Sequence, residues 1–220
     1  MRLLILPLVV LLLSACTSST SNKKLNSINP IIGDVSYIEK FGEHPKSLSD
    51  ENIRIKTHLA YVENKLRQTS TEHLSPAEIS NRNILLDHLR TYHEAGQFPK
   101  NYDYPNERRP CFMDKDKNIC AVGYLVEQSA GFQAAETINQ EFQYATINEM
   151  QSPLLEDWID GSGLNRTELA MIQPNYGPPT NQKYVGYGHG VTSTVLGLAN
   201  IGFSTASLAN WSNDNLKKNI

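Results

Sequence analysis

The stretch that decides the fold runs from Ser75 to Gly96: SPAEISNRNILLDHLRTYHEAG. Ser75 is a good N-cap, and Pro76 suits the first helical position, where its missing N–H is no loss. Glu78 completes a capping box. Ile79, Leu85, Leu86 and Leu89 line one face of the helix this predicts. His93 lies on that same face, and Gly96 supplies a left-handed stop.

Toward the N-terminus, Ile55, Leu59, Val62 and Leu66 fall at i, i+4, i+7 and i+11 within Ser49 to Gln68. That is a second amphipathic helix, with His58 bordering its apolar stripe. The polar connection between the two is short, so they form an antiparallel hairpin. Before them, residues 31–47 are mixed and offer only the short apolar segment Val35 to Phe41.

Toward the C-terminus, FPKNYDYPNERRPCF (98–112) carries three prolines and two tyrosines and interrupts the helices. Beyond it, Cys120 to Gln128 and Gly131 to Ala145 read as helical, separated near Gly131. Ser152-Pro153 opens a short helix ending at Gly161. Asn165, with Glu168 three residues on, starts another before Pro174 stops it. The fold class expected is mainly α, with one short disulfide-closed β-hairpin, a flexible N-terminal tether and a small-residue-rich C-terminal tail. The divisions are a signal peptide (1–15), a lipidated tether (16–30), a helical domain (31–176) and a Gly-rich tail (177–220).

With 220 residues, 40% of them hydrophobic, the chain can build one ordinary domain. Leaving out Arg2, the lone basic residue of the first fifteen, 19 basic side chains face 23 acidic ones. That balance lacks the basic footprint of a nucleic-acid binder.

The chain begins MRLLILPLVVLLLSAC. Arg2 is a positive n-region, and Leu3 to Leu13 is an apolar run too short for a permanent membrane span. The tetrapeptide Leu13-Ser14-Ala15-Cys16 resembles the lipobox of bacterial lipoproteins. The resemblance implies diacylglycerol transfer to the Cys16 sulfur, cleavage before Cys16 and acylation of the new N-terminus, giving a bilayer anchor without a spanning helix. Thr17 stands where aspartate would retain such a protein at the inner membrane, which implies the outer membrane in a Gram-negative host. Residues 17–30, TSSTSNKKLNSINP, read as a spacer reaching on the order of 20 Å as a coil. The tail is low in charge, but Thr192, Ser193, Thr194, Asn200 and Ser204 argue against a span. It is either a small-residue helix packed on the domain or a poorly ordered arm.

Cys111 and Cys120 flank Phe112–Ile119. Pairing Phe112 with Ile119 and Met113 with Asn118 sets the cysteines opposite each other on a hairpin, and an exported location is oxidising, so a structural disulfide is expected. Asp114, Asp116 and Asn118 mimic the start of a calcium loop, but Ile119 and Leu125 stand where glycine and glutamate are required. His58 and His93 face one another across the expected hairpin, with Glu63 or Glu94 as possible partners. No HExxH, G-x-S-x-G, P-loop or CxxC spacing accompanies them. Tyr102, Tyr104, Arg108 and Arg109 form the best recognition candidate, suited to an anionic or glycan ligand or to a protein hot spot.

The segment FPKNYDYPNERRPCFMDKDKNICAVGYLVEQSAG, with SGLNRTELAMIQPNYG, resembles a pattern of uncharacterised exported bacterial proteins. That resemblance implies a shared fold and no particular chemistry. The expected function is a lipid-anchored binding or envelope-structural module with an envelope protein or glycan partner and no cofactor or metal. The alternative is a metal-dependent or acid–base hydrolase centred on His58 and His93.

Overall fold

The computed structural model describes residues 26–46, 49–104 and 106–177, which form seven helices. These are α1 (Val35–Phe41), α2 (Glu51–Arg67), α3 (Pro76–Ala95), α4 (Ala121–Ala130), α5 (Phe132–Phe142), α6 (Pro153–Ser162) and α7 (Arg166–Ile172). None of them is long and apolar enough to cross a membrane. The signal segment, Cys16 and the tail beyond Gly177 lie outside the described residues.

Helices α2 and α3 are the antiparallel pair. Arg67 reaches Asp87 at one end, Glu63 meets Arg90 and His93 further along, and Lys56 reaches the carbonyl of Glu94 at the other end. Ile55, Leu59, Val62 and Leu66 on α2 are buried against Leu85, Leu86 and Leu89 of α3. The α3 capping box is fully formed: Ser75 accepts from the Glu78 N–H, and Glu78 accepts from the Ser75 N–H. Helix α4 packs on α3 and α5, while α7 closes against α2 and α4. Gly163 ends α6 at φ 71°, so close to the first turn of α3 that an added Cβ would lie 2.2 Å from the Glu78 carbonyl oxygen. Only glycine fits there.

A buried ion pair joins these layers. Arg82 of α3 donates to both Glu168 oxygens at 2.8 Å and to the carbonyls of Gly163 and Leu66 at 2.9 Å. The fork geometry satisfies a guanidinium that would otherwise be costly to bury.

Two expectations need correction. Residues before 31, assigned to the tether, belong to the packed body: Ile28 is fully buried. The Asn29 amide donates to the carbonyls of Ala170, Met171 and Gln173, while its oxygen accepts from the Ile31 and Ile32 N–H groups. One asparagine thereby supplies donors to the last turn of α7 and nucleates the turn before α1.

The second correction concerns Cys111 and Cys120, which are free, buried thiols. Only an isolated antiparallel bridge joins Met113 to Ile119, and the Cys120 N–H donates to the Phe112 carbonyl at 2.7 Å. The pairing is therefore one residue out of the register a disulfide-closed hairpin requires, so Cys120 lies across from Phe112. The cause is the turn. Lys117 donates its N–H to Asp114 and adopts φ 65°, giving a three-residue loop with a left-handed last residue. Cys120 instead caps α4, its sulfur accepting from the Gly123 N–H at 3.2 Å.

Candidate functional site

The interrupted stretch 98–112 is pinned at several points. Asn101 is fully buried; its amide donates to the carbonyls of Tyr104 and Glu107, and its oxygen accepts from the Tyr104 N–H. Arg109 exchanges backbone hydrogen bonds with the fully buried Tyr176 at 3.1 and 2.7 Å. The Lys100 N–H donates to Asp114. A loop fixed this way presents side chains with little ordering left to lose on binding.

The four recognition candidates part company. The Arg109 guanidinium lies 4.0 Å from the centre of the Tyr104 ring, and Tyr104 meets Tyr144 edge-on at 4.9 Å. Tyr144 donates its hydroxyl to Asp103. Beside this cluster, Tyr102 donates to Asp116 at 2.5 Å with Lys115 over its ring at 4.0 Å. The Asp116 hydrogen bond, helped by burial, pushes the Tyr102 phenol up to about 12. Burial and the Asp103 hydrogen bond raise Tyr144 as well. Both phenols are donors throughout the physiological range. Arg108 turns inward: both terminal nitrogens engage Glu51, one of them also reaches the Asn175 carbonyl, and its side chain is 8% exposed. It holds the loop to α2 and is not part of the exposed face. Tyr144 was not legible as a member, because nothing in the sequence brings residue 144 to residue 104.

The calcium-like loop is occupied by its own chain. Asp114 accepts from the N–H groups of Asp116, Asn118 and Lys100 and from the Asn118 amide. It braces the turn.

The two histidines have separate partners. His58 Nε2 lies 2.9 Å from the Met171 carbonyl. A carbonyl only accepts, so Nε2 carries the proton and the buried Nδ1 has no partner. Burial holds the ring down at about 4, against the Met171 hydrogen bond, which acts in the opposite direction. His93 Nε2 lies 3.0 Å from Glu63 Oε2, as the hairpin geometry anticipates, while Glu63 Oε1 accepts from Arg67 and twice from Arg90. These donors outweigh the opposing effect of burial and hold the Glu63 carboxyl below its ordinary value. Among the described residues, no three His, Cys, Asp or Glu side chains gather as a metal site would require.

A shallow groove of about 380 Å³ lies between α1 and α2, with Glu39, Lys40, Tyr61 and Asn64 among its lining residues. The Ser36 and Thr57 hydroxyls are buried beside it without partners.

No protein-family model matches the chain, and neither does any curated protein or solved structure.

Proposed function

We propose that this protein is a bacterial lipoprotein, anchored to the envelope bilayer through an acylated Cys16, whose helical domain works as a binding module. The binding face is Tyr102, Tyr104 and Arg109, joined by Tyr144 and Lys115. The observation that carries this reading is the partly exposed Arg109–Tyr104–Tyr144 stack on a pinned loop. Aromatic rings and an arginine held in advance of contact are the chemistry of interface hot spots and of glycan platforms. An envelope protein or glycan is the partner class that fits the proposed location.

The acid–base alternative has one observation in its favour, the His93–Glu63 hydrogen bond. Both side chains are 7% exposed, and the Glu63 carboxylate already serves two arginines. The binding reading therefore accounts for more of the geometry.

Two arms of one experiment test it. Cys16→Ser should leave the precursor uncleaved at residue 16 and move the chain out of the detergent phase. A photo-reactive phenylalanine at position 102 should crosslink a discrete envelope component, while the same group at exposed Ile84 should not. An unchanged N-terminus and unchanged membrane partition in Cys16→Ser would refute the anchor. Equal labelling from both positions would refute the face.

A further inference from the structure

Large apolar side chains exposed to solvent are normal when scattered singly. Three belong to segments that meet where α2 begins: Ile31 is 48% exposed, Val35 39% and Ile53 49%. Arg54 holds those segments together. It donates to the Asn26 carbonyl at 2.6 Å and to Asp34 at 2.6 and 2.9 Å. The first described residue, the start of α1 and the first turn of α2 thus meet at a single guanidinium. Ile53 adjoins that arginine, Val35 adjoins that aspartate, and Ile31 lies in the turn between Asn26 and Asp34.

We infer that this end of the domain rests on the bilayer, with Ile31, Val35 and Ile53 entering the headgroup region. The inference builds on the proposed acylation of Cys16. Nine residues lie between Cys16 and Asn26, a reach of roughly 35 Å when fully stretched, no more than the width of a domain this size. The end at which Asn26 joins the domain is therefore the end a bilayer meets first. Two of the three carboxylates there are paired within the fold, Asp34 with Arg54 and Glu51 with Arg108, while the third, Asp50, caps α2 by accepting from the Ile53 N–H. Lys23 and Lys24, immediately upstream in sequence, favour anionic headgroups. Aliphatic side chains at a headgroup boundary add to an acyl anchor and set the orientation of what it holds. The Arg108–Glu51 pair also ties the Tyr102–Arg109 loop to this end of α2, so a partner bound there is met close to the membrane.

The test separates this inference from the acylation it builds on. The Cys16→Ser chain, with a hexahistidine segment before residue 16, is held on vesicles of phosphatidylethanolamine, phosphatidylglycerol and a nickel-chelating lipid. A small fluorophore is attached to cysteine at position 31, 53 or 84, with buried Cys111 and Cys120 left unlabelled, and nitroxide-bearing lipids are the quencher. Ile84, 50% exposed on α3, is the control, lying near the Asp87–Arg67 end of the hairpin. Quenching severalfold stronger at 31 and 53 than at 84 is expected. Equal quenching at all three positions, or none at 31 and 53, overturns the inference. Whether natural Cys16 carries lipid is read separately by mass spectrometry, so failure of the anchor and failure of the face are distinct results.

Discussion

Arg108 and Glu51 form a two-pronged pair, with Nη1 and Nη2 donating to the two carboxylate oxygens at 2.8 and 2.6 Å, while the neighbouring Arg109 stacks outward on Tyr104. Adjacent arginines in one loop thus do opposite work. Arg108→Ala leaves Glu51 with only the Gly177 N–H and takes a donor from the Asn175 carbonyl, and should cost about 2 kcal/mol of folding stability. Arg109→Ala should cost about 1 kcal/mol or less, because its contacts are largely at the surface. Urea unfolding of both variants checks the ranking, and equal losses would contradict the assignment.

His58 makes stability depend on pH. Its ring sits at about 4 in the folded chain against 6.5 as the ordinary value. Between those values the unfolded chain binds more protons, so stability rises with pH through that window and is complete above it. The expected loss from about pH 7.5 down to about pH 5 is about 2 kcal/mol from this group. His58→Gln, which keeps a donor for Met171, should lower stability at neutral pH but flatten that slope. An unchanged slope would show that another group carries it.

The thiols should be silent in the folded protein. Burial pushes Cys120 up to about 12 and raises Cys111 further, with the nearby Cys120 sulfur adding to the effect. At about pH 8 neither should react with a thiol reagent until denaturant is added, whereupon both should react. A Cys111–Cys120 crosslinked peptide in the unreduced protein would contradict the register described above.

Thr57 buries a hydroxyl with no partner at the α1–α2 seam. Thr57→Val keeps the shape and removes the unsatisfied group, so it should raise stability by about 1 kcal/mol. A loss of similar size in thermal or urea unfolding would show that the hydroxyl is bonded in solution.

The helices were legible wherever local chemistry settles them. Ser75-Pro76-Glu78 and Asn165-Glu168 both form complete capping boxes, and the stripe Ile55–Leu59–Val62–Leu66 is buried throughout. What escaped depends on contacts distant in sequence or on a single dihedral angle. Asn29 looked like one more polar residue of a spacer, because its three carbonyl partners lie more than 140 residues away. The cysteine pairing failed on Lys117, a non-glycine residue in a left-handed conformation that spacing alone does not reveal. Of the recognition loop, Tyr102, Tyr104 and Arg109 are half-buried. Arg108 turns inward, and two adjacent arginines carry no mark in the sequence of which one will find Glu51.

The most direct test of a binding role is the crosslinking yield from position 102 in intact envelopes, compared across two variants that both remain folded. Arg109→Ala removes the cation from the exposed stack, and His93→Gln removes the imidazole of the buried pair while keeping a donor for Glu63. The account predicts that Arg109→Ala abolishes the adduct and His93→Gln leaves it intact. Loss of the adduct in His93→Gln with retention in Arg109→Ala would contradict it and move the function to the Glu63–His93 pair.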